Sequence, residues 1–246
     1  MDSGYYAACA GLVARTQALD TIAGNMANTS TAGYRAQKNL FSSVLAQTGK
    51  GSLTPLNQAA NNYGVLSGTR LDLTQGTMSR TGNDLDVGIE GPAFFAVQTS
   101  SGSTAYTRAG NFQVSGKGQL VTAAGDPVLG ANGPISLGSG PVSISTDGTI
   151  SANGAIAGKL KLVEFAPGVD LTSQGSSYYA APPNTGAPAT QSELRQGSLE
   201  GSNVNPVTGV VELIGAQRSA ETMRHILSML DSEMDKTATQ DLPRVS

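Results

Sequence analysis

The sequence predicts an α+β fold. A discontinuous, coiled-coil-like helical domain is built from both termini, and a β-rich domain resembling an antiparallel sandwich or barrel is inserted between them. Three observations predict it. From Tyr5 the chain repeats in sevens, with Tyr5, Leu12, Leu19 and Met26 on one line and Cys9, Thr16 and Ala23 behind them. Near the other end Leu213, Ala220, Leu227 and Met234 form a second line, with Ala216, Met223, Leu230 and Thr237 three residues ahead. Between the two, short apolar runs are punctuated by Asn-Gly and Asp-Gly pairs. A period of 3.5 confines apolar side chains to one narrow helix stripe, the geometry of a coiled-coil seam. Asn-Gly and Asp-Gly accept the positive φ of tight hairpins.

Taken in order, residues 3–28 read as the first helix, with Ser3 as its N-cap and an end across Asn28-Thr29-Ser30-Thr31-Ala32-Gly33, where short polar residues favour turns. Gly11 and Gly24 inside it each cost about 1 kcal/mol relative to Ala, which suits a helix pressed against partners. The helical domain thus begins with residues 1–34. Residues 35–80 form a linker: Phe41 to Leu45 continues a helix or begins a strand, Gly49 to Asn62 is loop, and Val65 to Leu73 alternates as a strand.

Residues 81–185 carry the inserted β-domain. Its strands are expected at Asp86–Ile89, Phe94–Val97, Gln119–Thr122, Val142–Ser145 and Leu160–Val163, with turns at Asn132-Gly133, Asp147-Gly148 and Asn153-Gly154. Phe94, Phe95 and Phe112 are its expected core. Residues 186–205 return the chain, and 206–246 hold the last helix, expected from Pro206 or Val207 to about Thr239, with Asn205 as cap, Pro206 in the first turn and Leu242-Pro243 closing it.

Composition excludes several classes of function. Charged residues make up 13% of the chain, where about 25% is ordinary, and 31 glycines accompany them. A net charge of −3 with no basic run is no footprint for nucleic acid or an anionic membrane. No apolar run approaches the roughly 18 to 20 residues of a membrane span. The start, Met1-Asp2-Ser3-Gly4, has neither the basic nor the apolar region of a secretory signal, so a cytoplasmic location or a signal-independent export route is expected. The single cysteine, Cys9, excludes an intramolecular disulfide framework and reads as a small seam residue.

Catalytic, cofactor and metal sites find no supporting pattern. His225 is the only histidine and stands beside the seam positions of the last helix, far in sequence from Cys9. Thr81-Gly82-Asn83-Asp84-Leu85-Asp86-Val87 is similar to one turn of a calcium-binding nonapeptide array, but it occurs once and reads as a turn into a strand. Gly116-Lys117-Gly118, Gly138-Ser139-Gly140 and Gly49-Lys50-Gly51 lack the spacing of nucleotide-binding loops.

Three ordered blocks carry a family resemblance. Asn25-Met26-Ala27-Asn28-Thr29-Ser30-Thr31-Ala32-Gly33-Tyr34-Arg35 resembles the N-x-A-N-x-x-T-x-G-[FY]-[KR] signature of the bacterial flagellar rod and hook proteins. Leu199-Glu200-Gly201-Ser202-Asn203-Val204-Asn205-Pro206-Val207 is similar to the family's S-N-V segment, which opens its C-terminal helix. Gly82–Val87, Gly91–Phe95 and Tyr106–Phe112 resemble its central block. Gly125–Ile135, Asp147–Ile150 and Gly158–Leu162 look more like the F-type proximal-rod branch than the distal rod. Gly24, and Tyr34-Arg35 in place of Phe-Lys, are mild departures.

The resemblance implies a non-enzymatic axial subunit that needs no cofactor. It would pass unfolded through the flagellar type III export apparatus, assemble in the periplasm with copies of itself and other rod subunits, and transmit torque. Its expected assembly interface comprises Tyr5, Leu12, Leu19, Ile22, Asn25, Met26 and Asn28 with Leu213, Met223, Leu227, Leu230 and Met234. Thr31, Gly33, Tyr34, Ser202, Asn203 and Val204 carry the family motif. A repeated heterologous contact of that kind produces a filament. The alternatives are a distal-rod or hook protein of the same family, a secreted β-rich adhesin or calcium-binding module, and a peptidoglycan hydrolase.

Overall fold

The chain begins and ends in helices, α1 (Asp2–Ala27) and α2 (Pro206–Gln240). All strands lie between them, in a computed structural model that describes residues 2–42, 65–175 and 177–240. The loop expected at Gly49 to Asn62 lies outside those residues. The described residues fall into two compact units. One contains the two helices with residues 38–42 and 65–69, and the other contains Ala27–Gln37 with Arg70–Asn205.

In the helical unit the buried line of α1 is Ala8, Gly11, Ala14 and Ala18, next to the expected leucine line rather than on it. Leu12, Leu19, Ile22 and Met26 are half-buried, as is Cys9, whereas Thr16 and Ala23 are exposed. Small residues are shielded when a neighbouring backbone comes close, while the larger side chains beside them keep one flank in water. On α2 the expected line holds better, since Ala220 and Met223 are buried and Leu213, Ala216 and Leu227 half-buried. The two helices meet where Gly209 faces Met26. A Cβ built on Gly209 would strike the Met26 thioether, so glycine lets the helices close there. Strand Gln37–Ser42 pairs with Val65–Leu71, which resolves the ambiguous stretch after Phe41 in favour of a strand as far as Ser42.

The β-unit is antiparallel. Its main sheet has six strands in the order Thr172–Ser173, Tyr178–Ala180, Thr104–Thr107, Phe94–Gln98, Leu162–Phe165 and Gly186–Pro188. Both edges are open, and among the described residues no sheet closes into a barrel. Pro188 stands on an edge strand, the place in a sheet where a missing N–H is tolerated.

Alternation along the strands splits the core between two faces. Phe95 packs with Val87, Ile89, Val97, Phe112, Leu120, Ile150 and Leu194. Its neighbour Phe94 joins Leu171 and Tyr179 on the opposite side. Phe95 and Phe112 meet edge to face at 5.0 Å, and Phe94 meets Tyr179 the same way at 5.8 Å. The three phenylalanines expected in the core are all 2% exposed or less.

All three predicted turns form as tight reversals, two at the predicted residues and one shifted by a residue. Asn153 (φ 50°) and Gly154 (φ 81°) connect strands paired at Ala152 and Ala155, the positive-φ pair of a two-residue hairpin. Gly148 (φ 88°) closes a turn in which the Asp147 carboxylate accepts hydrogen bonds from the Thr149 N–H and hydroxyl. At the third site Gly133 pairs with Gly130, so the two loop residues are Ala131 and Asn132.

Residues 186–205, read from sequence as a return linker, carry three strands of the β-unit. Besides the sheet edge, Glu193–Gln196 pairs with Val87–Glu90 and Ser198–Glu200 pairs with Met78–Arg80. Backbone groups in this stretch that would otherwise lack partners are satisfied by strands distant in sequence, a pairing that local composition does not encode. Replacing Phe95 by Ala should destabilise the β-unit by about 3–5 kcal/mol in chemical denaturation followed by circular dichroism.

Candidate functional site

The three sequence blocks of the family signature meet in the β-unit and form a clasp. It starts where α1 ends. The Thr31 N–H and hydroxyl both donate to Asn28, to the backbone carbonyl and to Oδ1 respectively, and the Tyr34 N–H donates to the Thr31 carbonyl. This local winding turns the chain at Gly33, whose φ is +67°. A Cβ there would lie 2.3 Å from both Ala109 N and the Arg108 carbonyl carbon, so position 33 requires glycine for its conformation and for space.

The turn delivers Arg35 into the interior. Arg35 is 0% exposed, Glu200 1% and Arg108 2%, and the three side chains form one ionic cluster. Arg35 Nη2 lies 2.6 Å from Glu200 Oε1, and Arg108 Nη1 lies 3.2 Å from Glu200 Oε2. Arg108 also donates to the Gly91 carbonyl at 2.5 Å and lies over the Phe94 ring, 5.0 Å from its centre. The Glu200 carboxylate accepts the Gly76 N–H at 2.8 Å, and the Glu200 carbonyl accepts the Gly33 N–H at 2.8 Å. The Tyr179 hydroxyl accepts the Arg35 N–H at 2.8 Å.

One carboxylate therefore faces two guanidiniums. Burial lowers Arg108 to about 10, and Glu200 opposes that shift. Burial also pushes the Tyr179 hydroxyl up to about 12 and raises Tyr34. The Arg35 contact is ionic rather than a well-aligned hydrogen bond. None of the three guanidinium nitrogens of Arg35 has an aligned acceptor, and Arg108 Nε has none either.

Asn203 completes the clasp. Its Oδ1 accepts the Ala36 N–H at 2.7 Å, its Nδ2 donates to the carbonyls of Asp72 and Thr74, and its own N–H donates to the Tyr34 carbonyl. Ser202 Oγ accepts the Val204 N–H, which steers the chain toward α2. The stretch after α1 and the stretch before α2 are thereby bound to each other. Of the motif residues, Gly33 and Tyr34 are buried, and Thr31, Ser202, Asn203 and Val204 are half-buried.

The expected interface residues lie apart from this clasp, on the helices. Asn25 and Asn28 are half-buried at the end of α1, like Leu12, Leu19, Ile22 and Met26. Tyr5, Leu230 and Met234 belong to the helices, but their side chains lie outside those described. His225 is exposed on α2.

Sequence reasoning missed the ionic role of Arg35, Arg108 and Glu200, although each stands inside a quoted motif. It also missed an exposed apolar line on α2, formed by Val207, Val210, Val211 and Ile214. Among the described residues no group of three or more His, Cys, Asp or Glu is arranged to hold a metal ion. Asp86 instead accepts a hydrogen bond from the Asn83 amide, within the turn that leads into Val87–Glu90.

Comparison with known proteins matches the central and C-terminal parts of the chain. Residues 88–152 match the family model described as the flagellar hook protein FlgE/F/G D1 domain, and residues 195–240 match the flagellar basal body rod FlgEFG protein C-terminal model. Arg108 lies in the first match and Glu200 in the second. The chain is 35% identical to a flagellar basal-body rod protein FlgF of Mesorhizobium japonicum, over 96% of both chains. It is 32% identical to the FlgF of Caulobacter vibrioides over the whole of both. A flagellar basal-body rod protein FlgG of Agrobacterium fabrum is 33% identical, over 96% of this chain and 97% of its own.

Glu200→Gln leaves two buried cations without a counter-charge and should cost about 3–5 kcal/mol in thermal or chemical denaturation. Removing the exposed Arg195–Glu90 pair should cost about 0–1 kcal/mol. Tyr179 is held protonated by the fold, so its contribution is complete below pH 10 and disappears as pH rises toward about 12. Melting temperature should fall across that interval, and Tyr179→Phe should shrink the fall; Tyr178, also raised to about 12, would retain part of it.

Proposed function

The chain belongs to the flagellar basal-body rod protein family and is a structural component of the bacterial flagellum, and from that premise we propose that it is a proximal-rod subunit polymerising through its terminal helices. The observation that carries this reading is the outer face of α2. Val207 is 73% exposed, Val211 67%, Ile214 46% and Val210 44%, at the i, i+3, i+4, i+7 spacing of one helix face. The opposite face of α2 carries Gly209, Ala220 and Met223, which are buried. A helix with one apolar face covered and another left in water is suited to a multi-copy assembly.

In this reading α1 and α2 pair in coiled-coil fashion and neighbouring copies cover the second face. Leu12, Leu19, Ile22, Met26, Leu213, Met223 and Leu227 belong to the intrachain seam, extended by Tyr5, Leu230 and Met234. Torque passes through interdigitated side chains, and no catalytic step or cofactor is involved. The partners are copies of this chain, other proximal and distal rod subunits, and the type III export apparatus that delivers the chain unfolded to the periplasm. Neither nucleic acid nor membrane insertion is needed, and among the described residues no helix is long and apolar enough to cross a membrane.

The proximal level is favoured by two FlgF relatives aligned over nearly all or all of the chain. The FlgG relative, at 33% identity, supports the distal rod as a second reading. Labelled subunits located in purified basal bodies decide between them: label toward the inner membrane supports the proximal level, and label at the outer end supports the distal one.

Val211→Asp and Leu227→Asp should each leave the melting of the β-unit unchanged while abolishing incorporation into the rod and swimming, because an apolar contact cannot accommodate an unpaired carboxylate. Normal swimming by both variants would contradict the assignment. Ordering each helical residue costs about 1–2 kcal/mol in backbone entropy, recovered in full only when neighbours cover the helices. Amide exchange in dilute monomer should accordingly be fast over 5–26 and 213–234, and strong protection there would count against assembly-coupled ordering.

A further inference from the structure

We propose that the apolar outer line of α2 is received by the outer line of α1 in a second copy of this chain, the two helices antiparallel, with Arg218 against Asp20 and Ile214 over Gly24. The inference rests on the reading that copies assemble through their terminal helices, and it names the surface that covers the valine face. Both helices order on assembly in that reading, so the pairing belongs to the polymer and is measured there.

The two faces follow from the helical period of 3.6 residues. On α2, Val207, Val211, Ile214, Arg218 and Glu221 fall on one exposed line, on the side away from the buried Gly209, Ala220 and Met223. On α1, Val13, Gln17, Asp20, Gly24 and Ala27 fall on one line, on the side away from the buried Ala8, Gly11 and Ala18. All but Gly24 are exposed, Val13 by 56%. Each helix therefore has one covered face and one face in water.

Charge and shape favour the same alignment of the outer lines. Asp20 is the single charge on the α1 line, and among the described residues neither Asp20 nor Arg218 is in an ion pair. With Arg218 on Asp20 and the helices antiparallel, Ile214, four residues before Arg218, meets Gly24, four residues after Asp20. Val211 then meets Ala27, seven residues from each charge. A Cβ built on Gly24 would meet nothing within 4 Å among the described residues, so a side chain from another copy has room there. A bulky ridge seated in a groove of small residues is ordinary helix packing. Glu221 falls beside Gln17, whose amide can donate to it. A parallel alignment through the same ion pair would lay Glu221 on Ala23 and Thr222 on Gly24.

Repetition of one subunit supplies the antiparallel sense. α1 runs toward the Met26–Gly209 contact and α2 runs away from it. Copies stacked in a common direction thus present α1 to a neighbour's α2 in opposite sense, through a heterologous contact that repeats. An ion pair at such a contact selects partner and register more than it adds affinity.

The test uses full-length chains in isolated basal bodies, with Cys9→Ala throughout. Gly24→Cys and Ile214→Cys are co-expressed on separate chains, one carrying an epitope tag, so a disulfide between them forms only between copies. Mild oxidation should give this heterodimer in roughly tenfold or greater excess over that from Gly24→Cys with Thr222→Cys, because a disulfide needs Cα atoms within about 7 Å. Rods that contain the chain without the 24–214 product, or with the 24–222 product dominant, overturn the pairing and leave the rod assignment standing. An unsubstituted chain absent from basal bodies overturns both. Should the cysteine variants not assemble, exchange of the charges decides. Asp20→Arg and Arg218→Asp should each lower incorporation about tenfold by setting like charges together, and the double variant should regain about half or more of it. Single variants that incorporate normally, or a double variant no better than they are, overturn the pairing.

Discussion

A single carboxylate shared by two buried guanidiniums is the constraint on which the rest of this molecule depends. Glu200 has no access to water, and neither do Arg35 and Arg108, so each charge has lost its hydration and must be answered within the protein. The three residues come from the turn after α1, from the end of a strand in the main sheet, and from the segment leading into α2. Their meeting closes a long excursion of the chain, because position 35 and position 200 are brought to 2.6 Å across everything that lies between them. The β-unit is best understood as the framework that allows this closure.

The surrounding packing serves the same end. The two-sided sheet puts Phe95 into the larger core, while Phe94 lies beneath Arg108 and against Tyr179. Tyr179 in turn accepts the Arg35 N–H, so the smaller core and the ion cluster share their walls. Gly33 makes room for the Arg108–Ala109 backbone, and Asn203 satisfies groups on two segments that have no regular ladder of their own. The helices are organised differently. Alanine and glycine occupy the buried line of α1, and α2 keeps valines and an isoleucine in water along two turns. In the assembly proposed above, the uncovered apolar surface of α2 is what joins the subunit to its neighbours.

Much of this was legible from the residues. Seven-residue spacing revealed both helices to within a residue or two at their ends, because helical periodicity is a local property of the chain. Asn153-Gly154 was recognisable as a hairpin because its positive φ angles are a local demand. The motif blocks at 25–35 and 199–205 were recognisable as belonging together. What was less legible depended on distant partners. Residues 186–205 look like a polar connection, and they become strands only because Val87–Glu90 and Met78–Arg80 offer free edges. Thr16 and Ala23 fit a heptad line yet face solvent, since periodicity identifies a stripe without saying which flank is covered.

By itself, then, the sequence determined that two apolar-striped helices flank an antiparallel β-rich segment, and that its signature blocks are those of a flagellar rod protein. Tertiary structure alone decided that Arg35, Arg108 and Glu200 are buried together, that the main sheet stays open, and that Val207, Val210, Val211 and Ile214 remain uncovered. The division has a physical cause. Helix stripes and tight turns are set by residues a few positions apart, whereas desolvation of a charge depends on what the whole chain brings around it.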